Sequence, residues 1–550
     1  MKKINLVLIL FVFSVLSVFP QGYRKNVKPV KNVILMIPDG TSIGVVSAAR
    51  WFQIYNGGAE NLSIDSLICG TVKTFSSNAP IGDSAPTTSC YMTGMPQRTG
   101  NVSIYPVADP GKDLYPIDSS MAYQPLATIL EAAKYQKNKA TGLVVTVEFP
   151  HATPADCAAH YYDRGKYKYI APQMAYNNID VVFGGGNKEI TDDIKAHFKN
   201  TNTLLYQNDI NGFRKFAGKE KIWALFGDGA QPYDLDRDDA SVPSLSEMTS
   251  KAIDRLSQNE NGFFLMVEGS KVDWAAHGND AIGCITEYLA FDKAVKVALD
   301  FAKKNGETAI VIMPDHGNSG FTIGKRECKG YDRLSISDLF ANVSLYKKTS
   351  VGIEDMLKKA QPTEFKSIFK EYLGIDITDE ELENLISSKD YMSGNYMEVS
   401  NGKNILSTII EIMNSRTCFG FTTGGHTGEE VFLAAYHPDG AENLPIGMNT
   451  NTEMNKYLFD LLGLNEPLPD MTAKIFARHQ DVFKGLEYTI NDNGVYPSLT
   501  VKRGKDKLTL DAFKSVAYLN NEAFDLRSVV VYIDKNKTFY LPSELIGKLK

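Results

Sequence analysis

Five short apolar runs punctuate the first 330 residues, and each is closed by a polar or glycine turn before a helix-like stretch begins. They are Val33–Ile37, Ala140–Val147, Val181–Phe183, Gly262–Val267 and Thr308–Met313. Continuous apolar runs of this length belong to strands buried on both faces. Separated by helical segments, they predict an α/β three-layer sandwich around a mainly parallel central sheet. Such a sheet gathers ligands at the carboxyl ends of its strands. Chemically capable residues stand at those ends: Asp39 after the first run, His151 and Thr153 after the second, Glu268 after the fourth, Asp315 and His316 after the fifth.

The texture changes after residue 328. Amphipathic helical patterns at Gly352–Ala360, Thr363–Leu373 and Thr378–Ser387 mark residues 329–418 as a mainly helical insertion. The core resumes near Gly420 with a strand at Glu430–Tyr436 and a helix at Asn451–Leu462, so it spans 23–328 and 419–465. Asn465–Pro469 reads as a linker. Residues 466–550 then form a small β-rich domain with strands near Leu499–Val501, Leu508–Leu510, Ser528–Ile533 and Thr538–Leu541. Cys328 and Cys418 flank the insertion, whose ends must return together, and a disulfide between them is expected. Cys90, Cys157 and Cys284 read as buried thiols.

Lys2 and Lys3 precede an apolar run from Ile4 to about Pro20, followed by a polar stretch, so residues 1–22 read as a secretory signal peptide. An exported protein, periplasmic or secreted and without a transmembrane anchor after cleavage, is the expectation. Net charge is −7, so no nucleic-acid-binding signature is present. An acidic chain still binds anions where bound metals dominate the local field.

Five groups of residues carry the chemistry. Asp39 ends the first strand at a glycine turn. Ser84 opens a helix behind Asp83, with Pro86 tolerated in the first turn; a helix N-terminus suits an anion on that hydroxyl. Thr87, Thr88 and Ser89 lie deeper in the same helix. Asp273 and His277 are i, i+4 and share one helix face, although a surface pair is the plainer reading of that spacing alone. Asp315 and His316 are adjacent and act together only beyond the strand, whose end Pro314 marks. His426 stands between Gly425 and Thr427, outside any core pattern. His160 is expected to pack in the helix after Pro154, and His197, His437 and His479 on surface segments.

Together these residues resemble the alkaline phosphatase family. The matching motifs are Pro38-Asp39-Gly40, Asp83-Ser84-Ala85, His151-Ala152-Thr153-Pro154-Ala155 with His160 and Arg164 behind, Val267-Glu268-Gly269 with Asp273 and His277, Asp315-His316, and Gly425-His426. The resemblance implies hydrolysis of small phosphate monoesters through a phosphoserine on Ser84, at two zinc ions and one magnesium. Asp273, His277 and His426 would hold one zinc. Asp39, Asp315, His316 and Ser84 would hold the other, and Asp39, Thr153 and Glu268 the magnesium. Arg164 would grip the phosphoryl group. His151 and Trp274, just outside these sets, depart from residues found in other members. The oligomeric state stays open, a homodimer among the options. A phosphodiesterase, mutase or sulfatase of the same superfamily is the rival reading. A sulfatase would need an arginine after the x-Pro-x that follows its nucleophile, which the chain from Ser84 lacks. A non-catalytic binding protein is the second rival.

Overall fold

The computed structural model describes residues 27–388 and 404–549, so the signal peptide read at residues 1–22 lies outside the described residues. Ten strands form one sheet: β1 (Asn32–Ile37), β2 (Ile68–Lys73), β3 (Ala140–Glu148), β4 (Val181–Gly185), β5 (Thr203–Gln207), β6 (Lys221–Leu225), β7 (Phe263–Glu268), β8 (Thr308–Ile312), β9 (Val431–Tyr436) and β10 (Gly447–Thr450). Their order is β10-β2-β9-β8-β1-β7-β3-β4-β6-β5. Only β9 runs against its neighbours β8 and β2.

Alternation along β1 explains the layers, because successive side chains leave opposite faces of a strand. Val33, Leu35 and Ile37 join one core with the helices Ile129–Lys137, Tyr167–Tyr176 and Asn451–Leu461. Ile34 and Met36 join a second core with the helices Ile43–Tyr55, Leu245–Leu256 and Ala281–Asn305. Each fully buried side chain of this size contributes roughly 1.5–3 kcal/mol, and every residue of β1, β4, β7 and β8 is buried. Mixed strands escape so simple a pattern. β2 carries Cys69-Gly70-Thr71 and is half exposed, while β5 is the sheet edge.

The insertion is helical at Ile336–Phe340, Ser350–Leu357, Phe365–Leu373, Asp379–Ser387 and Ile405–Ser415. Cys328 and Cys418 are disulfide-bonded at its base, beside a short pairing of Thr322–Ile323 with Phe419–Gly420. Buried Asp280 ties it to the core. Its carboxylate caps the Ala281–Asn305 helix through the Gly283 amide at 2.9 Å and accepts from Ser350 N at 2.7 Å and Ser350 Oγ at 2.6 Å.

Beyond the core, Glu487–Asn491, Ser498–Arg503, Asp506–Asp511, Val516–Leu519 and Glu522–Asp525 make an antiparallel sheet. Leu499, Leu508, Phe539 and Leu541 share the core of Val33 and Leu35. Asn465–Pro469 is therefore no slack tether. The amides of Asn465 and Glu466 each donate to Gln136 Oε1 at 3.0 Å, and a helix begins at Leu468.

The remaining histidines differ from their sequence reading. His160 lies beyond its helix, which ends at Ala158, and bonds to Glu131 Oε1 at 3.1 Å. His197, His437 and His479 are buried, not on the surface. His197 stacks on Tyr176, and His437 Nε2 meets the Lys28 carbonyl at 2.9 Å. Polar flanking residues hid these packed imidazoles from a reading of local composition.

Non-reducing peptide mapping is expected to recover Cys328 and Cys418 as one linked pair, with Cys69, Cys90, Cys157 and Cys284 as thiols. Recovery of Cys328 and Cys418 as free thiols would contradict the fold at the insertion's base.

Candidate active site

Because β8, β1, β7 and β3 are adjacent and parallel, the residues just past their carboxyl ends meet at one sheet edge. Asp39, His151, Glu268, Asp315 and His316 are all buried there. The antiparallel β9 presents its amino end at the same edge, which brings in His426 five residues before it. A two-residue ladder, His426 with Asn318 and Thr427 with Gly317, fixes that approach. Asp273 and His277 come from the helix Lys271–His277, directly after β7.

Gly40 lets the elements close. It has φ +58°, and a Cβ there would stand 2.3 Å from Asp273 Oδ1. Its amide donates to Asp315 Oδ1 at 3.0 Å. Only glycine meets both demands without strain.

Ser84 is the first residue of a wholly buried helix, Ser84–Thr93, and Asp83 occupies the cap without a side-chain capping bond. Ser84 Oγ lies 3.2 Å from His316 Nε2 and 3.5 Å from Asp39 Oδ1. The neighbouring hydroxyls point elsewhere: Thr87 to the Asp83 carbonyl and Ser89 to Asp156. Arg164 Nη1 donates to Asp83 Oδ1 at 2.6 Å and lies 3.4 Å from His151 Nε2 through its other terminal nitrogen. The guanidinium thus sits one residue from the serine.

The imidazoles are oriented in one way. Nδ1 of His277, His316 and His426 meets a backbone carbonyl, of Gly424 at 2.7 Å, Gly317 at 3.0 Å and Gly82 at 2.8 Å. A carbonyl only accepts, so each Nδ1 carries a hydrogen, and in the neutral ring Nε2 is then the lone-pair nitrogen. Those Nε2 atoms point inward. His277 Nε2 and His426 Nε2 are 3.1 Å apart, and His277 Nε2 lies 3.4 Å from Asp273 Oδ2. His316 Nε2 is 3.5 Å from both Asp39 Oδ1 and Asp315 Oδ2. Acceptors facing acceptors at such distances call for a cation between them.

Among the described residues, three sets of donor atoms lie close enough together to hold an ion: Asp273–His316–His426, Asp39–Asp315–His316 and Asp39–His151–Glu268. Buried Asp39 Oδ2, Asp315 Oδ2, both Glu268 oxygens and Thr153 Oγ1 have no hydrogen-bond partner among the described residues. Orphaned oxygens of this kind are what a divalent ion satisfies, so the residues fit metals. The first set differs from the sequence-based grouping by drawing His316 towards Asp273, with His277 alongside. His151, expected outside the ligand sets, stands within ligand reach of Asp39 and Glu268. Trp274 meets the His151 ring edge-on, with centroids 6.1 Å apart.

The electrostatics point the same way. Burial, then Asp315 and its acidic neighbours, push Asp39 well above the usual carboxylate range. Burial pushes Glu268 up to about 8. Burial is outweighed at Asp273, where His277, His426 and His316 hold the carboxyl below its ordinary value. Burial, then Arg164, takes His151 down to about 3, while burial and His316 take His426 down to about 4. Both are neutral at pH 7, the form that ligates metals.

Some functional neighbours left no sequence signal. Asn318 Nδ2 donates to Asp273 Oδ1 at 2.7 Å, and Ser42 Oγ to Glu429 Oε1 at 2.6 Å. Asp83 stood in plain view as the residue before Ser84, yet its pairing with Arg164 needs the fold.

Residues 30–464 match the alkaline phosphatase family model. Alkaline phosphatase 4 of Bacillus subtilis is 33% identical over 461 residues, covering 80% of this chain and 90% of that protein. The repressible alkaline phosphatase of Saccharomyces cerevisiae is 28% identical over 516 residues, 81% of this chain and 84% of its own. Among solved structures, a cold-active alkaline phosphatase from Shewanella sp. superimposes with a TM-score of 0.66 at 27% identity, covering 78% of this chain and 99% of that one.

Without metal, Asp39 and Glu268 bind protons more tightly in the fold than in the unfolded chain. That contribution favours the fold at low pH and is lost as pH rises, through about 8 for Glu268. Bound cations reverse the preference. Chelation is expected to lower the melting temperature more at about pH 8.5 than at about pH 5.5, with a metal-dependent stabilisation of ~3–4 kcal/mol at saturation. Identical melting curves with and without chelator at the higher pH would remove the metal site.

Proposed function

The chain belongs to the alkaline phosphatase family, and from that premise we propose that it hydrolyses small phosphate monoesters at this sheet edge, through a phosphoserine on Ser84, with two zinc ions and one magnesium. The single observation that carries the reading is the convergence of Ser84 Oγ with Asp39 and His316 at 3.5 and 3.2 Å, one residue from the Asp83–Arg164 pair.

Asp273, His277 and His426 hold one zinc in this reading, Asp39, Asp315, His316 and Ser84 the second, and Asp39, Thr153 and Glu268 the magnesium. His151, as a nitrogen donor near that last set, makes its metal preference less strictly that of hard oxygen ligands. Bound there, the ions supply positive charge for the phosphoryl oxygens and lower the pKa of coordinated hydroxyl groups.

The chain's own residues do the rest. The start of the Ser84–Thr93 helix places amide N–H groups and a partial positive charge beside the phosphate. Asp83 holds the Arg164 guanidinium at 2.6 Å, and the planar fork of that guanidinium matches two phosphoryl oxygens. Ser84 Oγ bonds to phosphorus as the bond to the substrate's alcohol oxygen breaks. Water then cleaves the serine ester, restoring the hydroxyl and releasing phosphate. No described helix is long and apolar enough to cross a membrane. The leader-like start and the Cys328–Cys418 bridge support an exported, oxidising location.

A monoester dianion offers Arg164 two free oxygens, while a diester has one replaced by an alkoxy group. Arg164→Ala is therefore expected to lower kcat/KM for a monoester by roughly 2–4 kcal/mol, and far less for a matched diester. Equal losses on both would remove Arg164 as the phosphate clamp and favour a diesterase. Ser84→Ala is expected to abolish nearly all turnover while metal content, read by elemental analysis, stays unchanged; retained turnover would exclude the phosphoserine route.

A further inference from the structure

The opposite edge of the sheet carries a second polar cavity. Where the C-terminal β region leans on the core, a crevice of about 460 Å³ opens among the helix Ile129–Lys137, the amino ends of β4, β5 and β6, and the turn after Glu522–Asp525. It shares no residue with the carboxylate–imidazole cluster. Lys221 is the first residue of β6 and Asn178 precedes β4, so the crevice lies at the amino edge of strands whose carboxyl edge faces the active site.

Three cations from three separate elements line it: Lys134, Lys221 and Arg527. The carboxylates there are already engaged. Glu131 accepts from the Thr128 amide at 3.0 Å, contacts His160 Nε2 at 3.1 Å, and accepts from Asn177 Nδ2 at 3.1 Å. Asp525 accepts from the Arg527 amide at 3.0 Å, capping its own turn. No carboxylate reaches Lys134, Lys221 or Arg527 within ion-pair distance among the described residues. Lys134 donates instead to the Asn177 and Asn178 carbonyls, and the Arg527 guanidinium lies 5.1 Å over the Tyr135 ring.

Two more groups await acceptors. Ser515 and Ser528 are 1% and 6% exposed, line the crevice, and have hydroxyls with no partner among the described residues. An unsatisfied buried hydroxyl is unfavourable enough that native structures rarely keep one without a reason. Burial, then the adjacent Lys221, push Lys134 down to about 8 against the pull of Asp180, Asp525 and Glu131, and a bound anion would add to that pull. Tyr135, Met471 and Ile475 give one wall an apolar surface.

We propose that this crevice is a second, non-catalytic binding site for a small organic anion, its phosphoryl or carboxylate head among Lys134, Lys221 and Arg527 and its ring or chain against Tyr135, Met471 and Ile475. Cations that no described carboxylate contacts within ion-pair distance supply the attraction, the two serine hydroxyls the hydrogen bonds, and the apolar wall the selection for an organic group over a bare ion.

The test is calorimetric titration of the metal-loaded full-length enzyme with phenylphosphonate, an unhydrolysed phosphoryl probe, and separately with benzoate. Competitive inhibition of p-nitrophenyl phosphate hydrolysis reports occupancy of the Ser84 centre; the crevice is expected to appear as a further binding event that inhibition does not match. Lys221→Ala and Arg527→Gln should each weaken that event about tenfold or more while leaving kcat/KM within about twofold. Arg527 lies on an exposed turn, so its variant keeps the test valid if Lys221→Ala melts early. Binding of phenylphosphonate alone assigns a phosphoryl ligand, and binding of benzoate a carboxylate. A single binding class that coincides with inhibition, or variants that bind both probes like the wild type, would overturn the proposal.

Discussion

Everything at the carboxyl edge follows from four buried carboxylates held close together. Asp39, Glu268, Asp273 and Asp315 are each at most 2% exposed, and like charges at such spacing inside a protein repel by several kcal/mol. A fold tolerates that only where the backbone leaves the residues nowhere else to go. Here Ile37 is in register with Glu268, and Met36 with Ile312, so the strands deliver the carboxylates together. The apolar remainder of those strands, buried in two cores, supplies the stability that the site removes. Cation binding and the fold are in this sense one problem, since the repulsion among these carboxylates also strengthens their hold on a divalent ion.

Oxygen alone would not distinguish one metal from another, and the imidazoles reach the site by a different route. His426 arrives because β9 runs against the rest of the sheet, so its approach segment comes from the direction in which the parallel strands leave. His316 stacks on it with ring centroids 3.7 Å apart. Each of the three inward-facing rings is aimed by a carbonyl on Nδ1, and those carbonyls belong to Gly82, Gly317 and Gly424. At Gly82 and Gly317 a Cβ would stand 2.6 Å from Thr87 Cγ2 and 2.3 Å from Glu429 Oε1, so glycine there lets the carbonyls in, and the backbone settles the direction of each imidazole.

How much of this could be read from the chain depended on whether a signal was local. β1, β3, β4, β7 and β8 declared themselves because burial on both faces makes a strand uniformly apolar. β2 and β5 did not: one contains a glycine where the Gly447 backbone closes in, and the other is a half-exposed edge. Site residues at strand ends were visible as motifs, since a carboxylate or imidazole after an apolar run is locally anomalous. Asn318 on Asp273 and Ser42 on Glu429 were not, because an ordinary amide or hydroxyl becomes significant only through its partner, here 45 and 387 residues away. The buried His197, His437 and His479 failed for the same reason, being packed by residues distant in sequence.

The insertion shows how a large addition coexists with so exacting a centre. It leaves the core just after His316 and returns just before His426, so a shift at its base would displace two of the three inward-facing imidazoles. Three cross-links close that neck in succession: the His426–Asn318 and Thr427–Gly317 ladder, the Thr322–Ile323 pairing with Phe419–Gly420, and the Cys328–Cys418 bridge. A chain closed at its neck carries a longer loop at little extra cost, since loop-closure entropy grows only logarithmically with length. The contact from Ser350 to Asp280 then orients the insertion as a body on the core, through the cap of the helix that follows Asp273 and His277.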